Sequence, residues 1–245
     1  ASAVPSRLAD PEKLGRYAAE RALSRLGARR LSTRKVPVLF ESPLACGLLG
    51  HFVQAASGGA LYRKASFLVD ALGTEVFAPH LDIDEDPHRP GEFGSTPFDD
   101  EGVSTAPRRV VDGGRLDGWF LSTYSARKLG MRTTGNAGGA HFLRLSSRLT
   151  RPRDDLRAML RKLDTGLFVT ELLGHGVNGV TGDYSRGASG YWVEGGEIRH
   201  PVEEITIAGN LREMFRSIVA VGADEVVRGS RRCGSVLIER MAVAG

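Results

Sequence analysis

The sequence predicts an α+β fold in which a mainly antiparallel, curved or barrel-like sheet carries a few packed helices. Residues 109–121 and 189–202 each contain two strand patterns joined by a glycine-containing turn, which is typical of β-hairpins. Such hairpins outnumber strand–helix–strand alternations, and this favours antiparallel pairing. The 31 glycines among 245 residues indicate many turns and close backbone approaches rather than long helices.

The first element predicted along the chain is a helix over residues 10–27. Asp10 can cap its N-terminus, Pro11 suits its first turn, and Gly27 suits its C-terminal stop. Several of its apolar side chains fall near one face of the helix. We expect residues 1–31, which contain this helix, to be the end of a preceding segment.

The main, C-terminal domain is predicted to span residues 32–245. It begins with a strand pattern over 32–43, and the apolar stretch 44–56 that follows predicts a helix. The Ser-Gly-Gly sequence at 57–59 is expected to end that helix. The domain contains no internal repeat and no low-complexity segment.

Two more helices and two more strands are predicted in the second half of the chain. Residues 151–166 have the apolar spacing of an amphipathic helix, and the strand pattern 166–173 follows directly. A helix is expected over 208–222, with Asn210 as its cap. The apolar pattern of residues 235–245 predicts the last strand.

Composition and charge exclude several classes of protein. The net charge is +4, but the basic residues occur as scattered pairs instead of a stripe with interleaved aromatic residues, so we expect no nucleic-acid partner. No apolar run approaches the ~18 residues of a membrane span, so we expect no membrane association. Two cysteines do not make a disulfide framework, and a reducing cytoplasm is therefore the expected location.

The stretch ESPLACGLLGHF, residues 41–52, resembles half of a helical zinc motif. Cys46 and His51 could each bind a metal, yet five residues place them roughly 140° apart on a straight helix. Hydrolysis at zinc also needs a carboxylate base, and no Asp or Glu lies between Pro43 and Phe52. On these residues alone we favour a buried helix in which His51 is hydrogen-bonded nearby.

Three other candidate sites are weaker. The sequence GHGVNG at 174–179 fits a dinucleotide-binding fingerprint, but no helical pattern follows it, so a glycine-rich loop is expected. Residues 80–88 contain two histidines and four carboxylates that could hold a metal, although prolines interrupt the segment and favour a solvated acidic edge or loop. Neither Ser185 nor Ser189 lies in a G-x-S-x-G nucleophile motif.

Several longer stretches resemble the C-terminal half of the TldD/PmbA family, historically called modulators of DNA gyrase. They include PFDDEGV, TTGNAGG, GDYSRGASGYWVEGGEI and CGSVLIERMAVAG, and the resemblance runs from about residue 36 to residue 245. The resemblance implies a cytoplasmic peptidase of two related subunits, TldD and TldE, that cuts unfolded peptides. Only the TldD type carries an H-E-x-x-x-H zinc motif.

When this stretch is aligned with the zinc motif through its final Gly-His, Cys46 takes the position of the first histidine. Gly47 then takes the position of the glutamate, and His51 that of the second histidine. The resemblance therefore implies a PmbA/TldE-like subunit with no catalytic residue and no metal of its own. Zinc is expected in a TldD-like partner. The family-signature residues that we expect in the scaffold or cleft are Asp99, Asp100, Glu101, Asn136, Asp183, Tyr184, Ser185 and Arg186.

The leading hypothesis is thus a non-catalytic subunit that pairs with a TldD-like chain, or with a second copy of itself, and helps to bind unfolded peptides. One alternative is an autonomous metallopeptidase that uses Cys46, His51 and a distant third ligand. The other alternative, which follows the historical family label, is a binding protein that acts on gyrase or DNA.

Overall fold

A computed structural model describes residues 2–245, which contain six α-helices and twelve strands. The helices are α1 (Pro11–Leu23), α2 (Ser42–Ala55), α3 (Gly58–Tyr62), α4 (Thr123–Lys128), α5 (Leu156–Leu163) and α6 (Leu211–Arg216). The strands are β1 (Arg34–Phe40), β2 (Leu81–Glu85), β3 (Arg108–Asp112), β4 (Arg115–Leu116), β5 (Leu143–Ser147), β6 (Gly166–Leu173), β7 (Asp183–Glu194), β8 (Glu197–Asn210), β9 (Ile218–Val221), β10 (Val226–Arg228), β11 (Arg231–Cys233) and β12 (Val236–Ala244). These strands form two separate sheets.

The first sheet closes into a five-stranded barrel. Its strands follow the order β1, β6, β7, β8 and β12, and β12 returns to pair with β1. Only the β1–β6 pair is parallel within this ring. The short strand β9 also pairs with β12, next to the closed ring. The predicted α+β fold with a mainly antiparallel, barrel-like sheet is therefore confirmed.

The β7–β8 hairpin supplies the longest pair of strands in the barrel. Gly195 and Gly196 connect them with φ angles of 60° and 75°, as the tight type I′ turn requires. A register shift between Ala188 and Gly190 marks a bulge, which bends the strand into the barrel curvature. The hairpin predicted over 189–202 is present, but both strands extend beyond it.

The second sheet has the order β10, β11, β5, β2, β3 and β4. Strand β2 lies in its middle, so residues 81–85 of the acidic stretch form a central strand and not the solvated edge or loop that we expected, whereas residues 86–88 do lie in a loop. Asp82 is buried and bound by Arg148 at 2.8 Å, while buried Glu85 is bound by Arg108 at 2.7 Å. These carboxylates are paired with Arg108 of β3 and with Arg148, which directly follows β5.

Helix α2 packs against strands of both sheets. It contacts β6 of the barrel and β10 and β11 of the second sheet, and its apolar side chains join the main hydrophobic core. The Ser57 hydroxyl accepts a hydrogen bond from the Ala60 amide. The Ser-Gly-Gly stretch that was expected only to end α2 therefore also begins α3.

The helix predicted over 208–222 is shorter in the structure. Asn210 caps it as predicted, through a 3.1 Å hydrogen bond from the Arg212 amide, but α6 ends at Arg216. The following residues form β9, whose Val221 pairs with Val236 of β12. Strand pairing with a segment far along the sequence therefore overrides the helical pattern.

Helix α1 lies on the outside of the barrel and buries none of its side chains. Arg21 donates two hydrogen bonds to the carboxylate of Glu41, at 2.6 and 2.9 Å, and Leu31 is buried in the core. No helix within residues 2–245 combines the length and the apolar character needed to cross a bilayer.

Candidate functional site

Cys46 faces the second sheet from helix α2. Its side chain is 2% exposed, and Sγ lies 3.8 Å from the carbonyl oxygens of Val226 and Arg231 in the β10–β11 hairpin. Burial raises the pKa of this thiol, and the nearby arginines offset the effect only in part. Cys46 therefore packs against the β10–β11 hairpin as a buried thiol.

His51 faces strand β7 of the barrel. Its half-buried ring meets the Tyr184 ring edge to face, with centroids 6.0 Å apart. Burial lowers the pKa of His51, and the positive charges of Arg186 and Arg231 lower it further. The expected hydrogen bond of His51 is not found among residues 2–245; the aromatic contact with Tyr184 is the described contact instead.

Arg231 reaches across helix α2 between the two motif positions. A Cβ built at Gly50 would lie 2.6 Å from Nη1 and 3.0 Å from Cζ of Arg231. The absence of a side chain at Gly50 therefore lets the guanidinium rest against the helix. This places a fixed positive charge next to His51.

Gly47 stands at the motif position of the catalytic base. It is exposed, and a Cβ built there would meet no atom within 4 Å. Open space is therefore present at this position, but the chain supplies no carboxylate to fill it.

Cys46 and His51 do not fit the donor set of a catalytic zinc. Such a site needs three neutral or anionic ligands that converge on one point, whereas these two side chains face different sheets beside a guanidinium. Within residues 2–245 no group of three or more His, Cys, Asp or Glu side chains is placed to hold a metal. Cys233 is fully buried, which raises the pKa of its thiol well above the usual range.

Asp99 connects two loops instead of facing a cleft. Its buried carboxylate accepts hydrogen bonds from the backbone amides of Glu101, Val103 and Ala137, at 3.0, 2.9 and 2.9 Å. Burial opposes ionisation, but these three hydrogen bonds outweigh it and lower the pKa of Asp99. Asp99 therefore has a structural role.

Asn136 belongs to the same scaffold. Its side chain accepts hydrogen bonds from Arg108 at 3.0 Å and Thr134 at 2.7 Å, and donates one to Glu85 at 2.8 Å. Glu101 accepts the Thr123 amide at the start of α4, at 2.7 Å. The signature residues near 99 and 136 thus tie the second sheet to its surrounding loops.

This scaffold borders a cavity of about 370 Å³. Exposed Asp100 packs against Gly138, whose neighbours line the cavity together with Val53 of α2. Ser57 and Tyr124 are also among its lining residues. The cavity therefore has both apolar and hydroxyl-bearing residues in its lining.

The signature stretch 183–186 divides between the two faces of β7. Exposed Asp183 accepts hydrogen bonds from Thr181 and Asn210, which lower its pKa, and exposed Ser185 donates its amide to a loop carbonyl. Tyr184 and Arg186 share the other face because side chains alternate along a strand. That face is the one that meets His51.

Tyr184 is buried with its hydroxyl unpaired. The side chain is 1% exposed, and its hydroxyl oxygen has no hydrogen-bond partner among residues 2–245. Burial raises the pKa of Tyr184 to about 12. The hydroxyl is therefore a neutral donor that no other described residue uses.

The structure thus brings together His51, Tyr184, Arg186 and Arg231, whereas Asp99 and Asn136 belong to the loops around the second sheet. Sequence reasoning missed Arg231, which it treated only as part of a basic pair. Gly50, inside the predicted helix, was a sign that another group approaches there, although Gly47 in the same helix has no such neighbour. No local sequence pattern predicts that residues 50 and 231 lie in contact.

Residues 33–245 match the family described as the PmbA/TldA metallopeptidase C-terminal domain. The protein therefore belongs to the PmbA/TldD family. It is 51% identical to Metalloprotease PmbA of Escherichia coli O157:H7 over 98% of this chain and 52% of that protein. It is 48% identical to the Metalloprotease PmbA homolog of Haemophilus influenzae, over 98% and 52%. The chain spans about half the length of these curated relatives.

Solved structures share the same fold. A protein of Thermotoga maritima, described as a modulator of a DNA gyrase, superposes with a TM-score of 0.90 and 37% identity, over 98% of this chain and 56% of that one. TldE of Thermococcus kodakarensis superposes with a TM-score of 0.81 over 96% and 55%. At 22% identity the second likeness supports the fold alone.

Proposed function

We propose that this chain is part of a PmbA/TldE-like subunit of a cytoplasmic, TldD–TldE type metallopeptidase that acts on unfolded peptides. The observation that carries the proposal is the Arg231 guanidinium, which rests on Gly50 beside His51. In this proposal the subunit binds peptide, and the zinc belongs to a TldD-like partner.

The chemistry of zinc hydrolysis supports a role without catalysis for this subunit. The metal must lower the pKa of a bound water, and a carboxylate must accept the water's proton. A guanidinium near His51 repels a divalent cation, and Gly47 offers no proton acceptor. Both features act against the step that a metallopeptidase must perform.

Peptide binding by strand addition is compatible with the second sheet. Strand β10 is an edge of that sheet, and its Val227 and Arg228 are exposed, so an extended chain can add a strand at this edge. An unfolded substrate can adopt this geometry, whereas a folded protein cannot. In the proposal the partner is a TldD-like chain, and self-pairing of this chain is the alternative assembly.

The test is co-purification with a TldD-like chain that has an intact H-E-x-x-x-H motif, followed by assays of zinc content and cleavage of an unfolded peptide. We expect about one zinc per pair, cleavage that needs both chains, and no loss of zinc in the variant His51→Ala of this chain. Stoichiometric zinc and cleavage by this chain alone, both lost in His51→Ala, would overturn the proposal.

That overturning result would establish the autonomous metallopeptidase, which the names of the curated relatives favour. A gyrase- or DNA-associated role is favoured only by the description of the Thermotoga maritima protein and by the net charge of +4. Affinity for duplex DNA that falls steeply with salt would support that role, and no binding at low salt would remove it.

A further inference from the structure

We propose that the face formed by His51, Tyr184, Arg186 and Arg231 is a binding site for a peptide carboxylate. We call these four residues the cationic face. The inference rests on the proposed function only in taking the ligand to be a peptide, because the site itself is defined by this chain alone.

Both arginines of the cationic face have donors to spare. Among the ion pairs formed within residues 2–245, none includes Arg186 or Arg231. Arg186 donates only Nε, to the Leu173 carbonyl at 3.1 Å, which leaves its terminal nitrogens free. A guanidinium with free terminal nitrogens matches a carboxylate through two parallel hydrogen bonds.

Neighbouring acidic groups do not neutralise this charge. Glu41 is bound by Arg21 of α1 and Glu171 by Arg25, which follows that helix. Asp183 is held by Thr181 and Asn210. Glu225, on the loop before β10, is bound by Arg144 and by Arg232. The nearby carboxylates thus have partners of their own, and the cationic face keeps its positive field.

The Tyr184 hydroxyl adds a neutral donor to the same face. It is buried without a partner, and a buried donor that lacks an acceptor is costly to the folded state. Tyr184 shares its face of β7 with Arg186 and touches the His51 ring. A carboxylate oxygen that enters here satisfies this hydroxyl as well as the guanidinium groups.

Gly50 leaves room for the Arg231 guanidinium against helix α2. Any side chain at position 50 would displace the guanidinium from the helix. Alanine at this position would require the flexible end of Arg231 to move, which makes Gly50→Ala a probe of where the guanidinium rests. The cationic face therefore lies where a zinc motif would lie. Its positive charge favours an anionic ligand, whereas a zinc site binds a cation.

The carboxylate can belong to the C-terminus of a peptide or to an acidic side chain. Three versions of one fluorescent unfolded peptide distinguish them: the free acid, the C-terminal amide, and the free acid with each Glu and Asp replaced by Gln and Asn. Binding to the full chain is measured by fluorescence anisotropy at low salt, without zinc or partner. The assay therefore stays informative if the proposed peptidase role fails.

We expect Arg186→Gln and Arg231→Gln each to weaken binding of the preferred peptide about tenfold, as the loss of a charged hydrogen-bond pair does. Arg232→Gln is the matched control, because it removes the same charge from the same hairpin while Arg232 is engaged with Glu225. It should change affinity less than about twofold. Gly50→Ala, which displaces Arg231 without removing its charge, should also weaken binding.

If only the C-terminal amide binds more weakly than the free acid, the bound carboxylate is the C-terminus. If only the Gln/Asn peptide binds more weakly, the bound carboxylate is an acidic side chain. The proposal is overturned if all three peptides bind equally, or if folded Arg186→Gln and Arg231→Gln proteins bind like Arg232→Gln. Folding of each variant is checked by its thermal unfolding transition.

Discussion

Among single residues, Asp99 shows how one buried carboxylate holds two loops together. Its oxygens accept three backbone amides, from Glu101, Val103 and Ala137. Asp99→Asn replaces one acceptor oxygen with an NH₂ group, which then faces a backbone N–H donor without a hydrogen bond between them. We therefore expect the free energy of unfolding at pH 7 to fall by about 1–3 kcal/mol. Urea titration measures this change, and exposed Asp100→Asn is the matched control that should stay within ~0.5 kcal/mol of wild type.

The same carboxylate makes stability depend on acid pH. Because the folded-state pKa of Asp99 is lowered, its ionised form stabilises the fold above the unfolded pKa of about 3.9, and this contribution is lost as pH falls through the folded pKa. The stability gap between wild type and Asp99→Asn should therefore narrow below about pH 4. A gap that stays constant from pH 7 to pH 3 would contradict the role assigned to this carboxylate.

The residues of the cationic face also show why the candidate site was only partly predictable. His51 and Gly47 could be interpreted from the motif they interrupt, and the lack of a base at Gly47 was visible in the sequence. Arg231 was not predictable, because only the packing of the β10–β11 hairpin on α2 brings it to Gly50. The family resemblance named Arg186 as a signature residue, but only the fold shows on which face of β7 it lies.

Among the secondary-structure elements, strand β7 depends on a glycine at its bulge. A Cβ at Gly190 would overlap the carbonyl oxygen of Phe168 on the neighbouring strand β6. The obstacle is backbone, so the barrel must shift to accept it. We expect Gly190→Ala to lower the free energy of unfolding by about 2–4 kcal/mol, as overpacking at a strained position does.

The control for that variant is Gly47→Ala. Position 47 is an exposed helical site with no atom within 4 Å of the added Cβ, so alanine should raise the free energy of unfolding by roughly 0.5–1 kcal/mol. Chemical denaturation of both proteins measures the two opposite changes. Equal stability of Gly190→Ala and wild type would show that β6 and β7 do not need this close approach.

The elements that were predicted well are those with local signals. Gly195 and Gly196 specify a tight turn by themselves, and Asn210 specifies a helix start. The elements that were mistaken depend on distant partners. Strand β9 forms because β12 pairs with it, and β2 is central because Arg108 and Arg148 neutralise its buried carboxylates.

For the whole molecule, the fold class followed from the count of hairpins, but closure of the barrel did not. Closure depends on β12 pairing with both β1 and β8, which joins the first and last strands of the chain. No periodicity of 2 or 3.6 residues encodes such a contact. The expected division at residue 32 likewise stays a prediction, and the way α1 attaches to the barrel makes it testable.

Removal of residues 1–28 tests that division. Helix α1 buries no side chain, whereas Leu31, which the truncated chain keeps, lies in the core. We expect the truncated protein to unfold in one cooperative transition, with a free energy of unfolding lowered by about 1–3 kcal/mol because Glu41 loses its charged hydrogen bonds from Arg21.

Glu41→Gln in the truncated chain provides the internal check. The Glu41 side chain is 16% exposed while it pairs with Arg21, and the truncation leaves this carboxylate without its partner. Neutralising it should recover part of the lost stability, whereas the same substitution in the untruncated chain should be destabilising because it weakens the pair with Arg21. Thermal and urea unfolding of the four proteins measure this difference. Loss of the cooperative transition on truncation would mean that residues 1–28 are part of the domain that folds as one unit.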